Sequence, residues 1–547
     1  MQVVDFTSQD AKQSARRLRW FALALGLTLV LPATLARAQQ RTPTDADIKR
    51  YLGLPADYKN KEAYKKLKDG FNAFFNNQPN TALDEFNAAR DKDGGLPPGR
   101  VSMAQLYAAV NRVDLARAQL EQAATDSPES PEVYLVLGHL ALREGRLTDA
   151  QLEFQAAEKA KKDKSVDPAS EDYKFFARRL YLGLTSIAEQ RQKWDQAKAF
   201  AEIWLANTEP EKGKELTTQE QKDQQALAEQ RLAQAQFFLD DVKGAEENLT
   251  KAAALNKELP NPKTQLGWFA TQEASQKAAG DRENEDYKSL MKQAQKYMED
   301  AIASADDNKA KAKAEGAYSQ WLLQENKISS AEEHANKALQ LDPDSDAYKR
   351  VVALLDLHRK NFKEAEKYFR EMYAKSPSDF FATNNLALSL VGLGGDDNLR
   401  MAEELATLNA KANPKSAEAL STLGWVYFNQ NRVNEADQIL SQVLQGSKEG
   451  ISPDTAYYLA KVLARGARLD QALAMLQKAV SVPGPFTYRE EAEDWLQQLQ
   501  GQGIKAATTD SAPSTKTSAK SSDGESTPPK SKPSRTPAGT TPPKQPQ

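Results

Sequence analysis

The sequence contains no cysteine and only three histidines, His139, His334 and His358, among 547 residues. The first absence excludes disulfides, thiolate metal ligands, a cysteine nucleophile and a lipid-modified N-terminal cysteine. The second makes a histidine-rich metal centre or a Ser-His-Asp hydrolase hard to assemble, because the three imidazoles lie far apart. Excess charge is also missing. Lys and Arg number 73 against 76 Asp and Glu, for a net −3, so no global field argues for nucleic acid or an anionic membrane surface. A Gly-rich phosphate loop after a strand is absent as well; Gly392-Leu393-Gly394-Gly395 reads as a turn between helices. The carboxylates sit on charged helical faces, with no apolar cleft to shift one of them. No cofactor, no metal and no catalytic residues are expected, and the chain is not read as an enzyme.

One long apolar run is present, and it is short for a membrane anchor. Arg16, Arg17 and Arg19 precede Trp20–Leu31, Pro32 follows, and Ala36-Arg37-Ala38 supplies a small-x-small cleavage pattern. The run has about 12 residues where a stable span needs roughly 20. Residues 1–38 are therefore expected to be a cleaved export signal, the alternative being an uncleaved anchor. Either way the rest of the chain is expected in the periplasm or cell envelope, with secretion less favoured, and not membrane-spanning.

What fills most of the remaining chain is a ruler. Alanines at 82, 116, 150, 197, 245, 294, 331, 365, 402, 436 and 472 follow gaps of 34, 34, 47, 48, 49, 37, 34, 37, 34 and 36 residues. Four places after the alanine stands a larger apolar residue such as Phe86, Leu120, Phe154, Leu249, Phe369, Leu440 or Leu476, and three further on is often another alanine. These spacings put all three on one helical face. Twelve residues before the alanine stands a small residue such as Gly70, Gly138, Gly424 or Ala460; twelve after it come Pro128, Pro343, Pro377 and Pro414, which stop a helix. Each unit is predicted to be two short amphipathic helices that bury their apolar faces only by stacking on neighbours.

The pattern resembles the tetratricopeptide repeat family: Tyr134 to Gly138, Ala150, Phe154 and Ala157 match it closely, as does Ser421 to Tyr427 with Ala436. The resemblance implies an all-α fold, a right-handed α-solenoid of about eleven helix-turn-helix units. Its parts are a lead-in at 39–59, repeats 1–3 at 60–160, repeats 4–6 at 161–305 and repeats 7–11 at 306–505. Trp204 and Asn409 stand where alanine is usual and predict distorted units. The three long gaps carry charged insertions near Lys161–Lys174, Glu209–Gln224 and Gln276–Lys288, expected as lengthened helices or projecting loops that could line up as one ridge. Residues 506–547 hold no Leu, Val or aromatic side chain beyond Ala506. Such a stretch cannot offset its ordering entropy and is expected to be disordered.

In such a solenoid the first helices line a concave groove. Alignment on the small residue offers Phe71, Phe75, His139, Trp268, Arg350, Asn384, Asn385, Trp425, Phe428, Tyr457, Lys461 and Arg465 as groove residues. Packing of the rings between repeats is the competing fate. The carboxylate clamp of some family members is not carried over, since Leu354, Glu418 and Thr422 occupy its positions. The expected function is a non-enzymatic envelope scaffold that holds a protein or peptide in its groove, as in assembly of a secretion or exopolysaccharide machinery. The alternative is a solenoid that binds or guides an envelope polysaccharide on exposed rings.

Overall fold

A computed structural model describes residues 44–504, apart from 56–57, 164–166, 211–214, 279–280, 448–449 and 483. The export signal and the tail expected from the sequence lie outside the described residues. All regular structure among those residues is helical. Helix α1 (Asp45–Tyr51) leads into eleven hairpins. The first three are α2 (Lys61–Phe75) with α3 (Pro79–Lys92), α4 (Gly99–Ala109) with α5 (Val113–Asp126), and α6 (Pro131–Arg143) with α7 (Leu147–Asp163). The central three pair α8 (Glu171–Gln190) with α9 (Trp194–Ala206), α10 (Gln219–Phe237) with α11 (Val242–Leu255), and α12 (Pro262–Lys277) with α13 (Glu285–Ala303). Hairpins seven to nine are α14 (Asn308–Gln324) with α15 (Ile328–Leu341), α16 (Asp346–His358) with α17 (Phe362–Lys375), and α18 (Phe380–Leu393) with α19 (Asp396–Ala412). The last two are α20 (Ala417–Asn429) with α21 (Val433–Gly446) and α22 (Pro453–Arg465) with α23 (Leu469–Ser481); α24 (Arg489–Gly501) follows.

All eleven ruler alanines are completely buried, at 0% exposure. The reason is steric. At Gly138 an added Cβ would stand 2.5 Å from the Phe154 ring, and at Gly424 it would stand 2.7 Å from Leu440. The two helices of a hairpin therefore touch where both carry almost no side chain, and the apolar residue four places on closes the crossing. Burying each such Phe or Leu contributes about 1.5–3 kcal/mol. Chain punctuation is equally local. Asn60, Ser170, Thr218, Asp379, Ser416 and Ser452 cap first helices by accepting backbone N–H bonds. The helices before Pro128, Pro343, Pro377 and Pro414 each end two residues short of the proline.

Trp204 and Asn409 do not distort their units. Both are buried, α9 and α19 run through them without a break, and the Asn409 amide donates to the Phe380 carbonyl at 3.3 Å. The charged insertions are taken up by long helices such as α8, α10 and α13, of 20, 19 and 19 residues. They do not form one ridge. The first two fall between hairpins and the third falls between α12 and α13, inside one. Because the chain reverses at every turn, these connections lie at opposite edges of the solenoid.

Candidate functional site

From the second hairpin onward, each first helix packs on the first helix of the next hairpin, and no pair of second helices comes as near. The first helices thus form the inner layer, and whatever binds a concave surface meets them. Their buried polar residues are concentrated there too, including Thr185, Glu189, Glu229, Gln234, Gln272, Glu315, Ser319, Asn384 and Thr455.

In the central hairpins this layer is held by polar pairs between neighbours. Glu189 of α8 pairs with Arg231 of α10. Burial pushes the Glu189 carboxyl up, and the guanidinium opposes that shift. From α10, the Gln230 amide donates to Gln265 of α12 at 2.5 Å and Gln234 donates to Gln272 at 3.1 Å. The Trp321 indole of α14 donates to the Thr271 hydroxyl at 2.8 Å. Glu229 is 4% exposed, and one of its carboxylate oxygens has no hydrogen-bond partner among the described residues. Burial raises it, Lys251 opposes, and Glu209 adds to the rise.

In the last hairpins the layer is aromatic. Trp425 is 6% exposed and lies flat on Tyr458 at 4.4 Å and on Phe428 at 5.3 Å. Tyr457 is 3% exposed and stacks on Tyr488 at 4.9 Å. The Lys461 ammonium sits over the Trp495 ring at 4.7 Å and over Tyr457 at 5.3 Å. Burial pushes that ammonium down and the Tyr457 and Tyr458 hydroxyls up.

The twelve residues singled out from sequence divide accordingly. Phe71, Asn384, Asn385, Trp425 and Tyr457 are buried, so their expected exposure to a ligand is corrected for the chain as it stands here. Phe71 lies under Tyr51 of the lead-in helix, with ring centroids 6.1 Å apart. The Asn385 amide donates to the Phe381 carbonyl at 2.9 Å, and Asn384 donates to Glu418 at 3.3 Å. His139 packs edge-on against Phe154 at 5.0 Å, and burial followed by the Arg179 charge lowers its imidazole to about 3. Arg350 pairs with Asp379 and lies over Phe381. Trp268, Phe428 and Lys461 are half-buried, while Phe75 and Arg465 are exposed; the Arg465 guanidinium donates to Asn431 at 3.3 Å. The structure brings together two groups of them: Phe71 and Phe75, with ring centroids 4.7 Å apart, at the N-terminal end, and Trp425, Phe428, Tyr457 and Lys461 at the C-terminal end. Sequence alignment on the small residue missed what gathers the second group, namely residues 484–495, although Gly484-Pro485 ahead of Phe486-Thr487-Tyr488 marks an extended aromatic segment.

No group of His, Asp or Glu suited to a metal occurs among the described residues. No described helix is long and apolar enough to cross a membrane.

The family model described as tetratricopeptide repeat matches residues 101–165 and 320–380. No curated protein matches the sequence. Similar solved structures include a thermophilic TPR protein of Thermus thermophilus, 19% identical over 35% of this chain and 98% of that one, with a TM-score of 0.30. Yeast Tom70 is 16% identical over 82% of this chain and 97% of its own, at 0.30. A tetratricopeptide repeat protein of Parabacteroides merdae is 14% identical over 50% of this chain and 98% of its own, at 0.37.

Proposed function

We propose that this tetratricopeptide repeat protein is a non-enzymatic scaffold, exported to the cell envelope, that recruits protein partners through the inner layer of its first helices. Assembly of a secretion or exopolysaccharide machinery is the setting in which an exported array of this length has a use. The observation that carries the scaffold reading is the continuous stack of first helices, with peptide-like polar and aromatic groups on its inner side and stability supplied by the alanine crossings beneath. Export rests on the sequence of residues 1–38. A sugar-guiding role needs flat rings open to solvent in the resting chain, and Trp425 and Tyr457 are nearly closed off.

The test is affinity purification of the full chain, tagged at its C-terminus, from the envelope fraction of its own cells, followed by cross-linking mass spectrometry. Cross-links from one reproducible partner to first-helix residues are expected. Retention of a glycan with no protein, or recovery of the chain from the cytosol alone, would overturn the reading.

A further inference from the structure

Residues 484–491, the end of the α23–α24 connection and the first turn of α24, touch hairpins that are not their neighbours. Gly484 lies beside the carbonyl of Gln324 at the end of α14. The Thr487 hydroxyl is 3.0 Å from His358 Nδ1 at the end of α16, and Glu491 pairs with Lys360 just beyond it. The same segment is also seated on hairpins ten and eleven. The Thr487 N–H donates to the Asp454 carboxylate at 3.3 Å. Tyr488 stacks on Tyr457 and stands edge-on to Trp425 at 5.7 Å. Phe486 is edge-on to Tyr457 at 5.9 Å. These contacts fall on the C-terminal ends of the first helices of hairpins seven and eight and on the first helices of hairpins ten and eleven, so the segment lies against the inner layer that the first helices form.

The contacts are those a bound peptide makes: a backbone amide to a carboxylate, a hydroxyl to an imidazole, and two rings in aromatic slots. The segment has its own clasp. The Arg489 guanidinium donates to the carbonyls of Val480, Val482 and Gly484 at 3.2, 2.7 and 3.2 Å, which fixes the loop from its base and leaves its hold on hairpins seven and eight to a few polar contacts.

We infer that residues 484–488 are a tethered occupant of a peptide slot on the inner face of hairpins eight to eleven, and that a partner segment with an aromatic–Thr or Ser–aromatic sequence binds there by displacing this strap. The inference rests on the peptide-scaffold reading and adds which hairpins bind, what they bind and what holds them closed. A strap joined by a short linker competes at an effective concentration in the millimolar range, so a free peptide of equal intrinsic affinity binds the resting chain many-fold more weakly than it binds an opened one.

The chain has no cysteine of its own, so an introduced pair is unique. The probe is a fluorescent peptide with the sequence of residues 482–490, followed by anisotropy on the full chain in three forms: unaltered, opened by Tyr488→Ala with Arg489→Ala, and locked by His358→Cys with Thr487→Cys joined by a short bis-maleimide. The opened form is expected to bind at least ten-fold more tightly than the unaltered chain, and the locked form not at all. Equal binding by all three overturns the strap but leaves a peptide site. No binding by an opened chain of unchanged helicity overturns the slot on these hairpins; the scaffold reading then stands or falls separately on the cross-links from the envelope partner. Should the opened form fail to fold, hydrogen exchange on the unaltered chain decides. Saturating peptide is expected to speed exchange of the Thr487 amide at least ten-fold, and unchanged protection overturns the inference.

Discussion

Hairpins four to six and hairpins ten and eleven share one crossing and differ in what they present inward. In both, the ruler alanines are fully buried. Yet the central inner face is built of Glu189–Arg231, Gln230–Gln265 and Gln234–Gln272, while the C-terminal one is built of Trp425, Tyr457, Tyr458 and Tyr488. Small residues at the crossing hold each hairpin together, so the inward positions are left free to vary. The central face pairs its own polar groups across repeats. The C-terminal face is completed by a segment from further along the chain. Stability in a solenoid is a sum of local terms, so each region can be broken separately and the damage located.

The largest expected effect is on the aromatic side. Trp425→Ala removes a ring clasped between Tyr458 and Phe428, and should cost about 3–5 kcal/mol. Hydrogen exchange should show the loss of protection confined to hairpins ten and eleven and α24. Protection that is unchanged there, or lost equally in α8 and α10, would dissolve the distinction. On the polar side, Arg231→Ala strands the buried Glu189 and should cost about 3 kcal/mol, read as destabilisation of α8 and α10. Replacing both members by Met should restore most of it, since the pair gains little over a well-packed apolar contact. A double variant as weak as the single would mean that the central face needs its charge.

Ala436→Leu tests what the two regions share. A leucine there would meet the backbone of α20 beside Gly424, at an expected cost of about 1–3 kcal/mol by chemical denaturation; an unchanged midpoint would refute the crossing. This crossing was legible in the sequence because it repeats: alanine, larger apolar residue and alanine recur at one period, and helices, hairpins and core all follow from it. The inner face was legible only as a set of positions. Its contacts join residues such as Thr487 and His358, separated by about 130 positions, and no local pattern encodes which ring a distant segment will cover. Trp425 illustrates the gap. Its place on a first helix could be read, whereas one of the rings against it, Tyr488, belongs to no repeat.

Acidification separates hairpin three from the C-terminal hairpins by proton linkage. Burial lowers His139 to about 3 and His358 to about 4, below the unfolded value of about 6.5. Between those limits the unfolded chain binds more protons, so each histidine makes stability fall as pH drops from about 6.5 toward 4. Asp454 runs the other way: burial raises it to about 6, the native chain binds the extra proton, and stability rises as pH falls through that value. His358 and Asp454 both face Thr487 and largely cancel, whereas the charge acting on His139 is the Arg179 cation, which adds to the fall. Hairpin three should therefore lose hydrogen-exchange protection between pH 6.5 and 4.5 more steeply than hairpin eleven, and His139→Asn should flatten that slope. Equal slopes before and after substitution would remove the histidine from the account.

The smallest effect lies in the turns. Nine of the hairpins place a residue of positive φ five positions before the ruler alanine: Asn77, Asn111, Gly145, Gln192, Asp240, Asn326, Lys360, Asn431 and Ala467. Asn and Asp tolerate this conformation because their short polar side chains bond locally, and Gly145 adopts it freely. Ala467, at φ +59°, has neither advantage. A left-handed alanine costs about 1–2 kcal/mol, part of which a glycine would return to the entropy of the unfolded chain. Ala467→Gly should thus stabilise hairpin eleven by about 0.5–1 kcal/mol, and Gly145→Ala should destabilise hairpin three by a similar amount. The opposite signs at equivalent positions are what a shared turn requires. If both substitutions destabilise, helix propensity and not the left-handed turn governs position minus five, and the equivalence of the hairpins ends at their crossings.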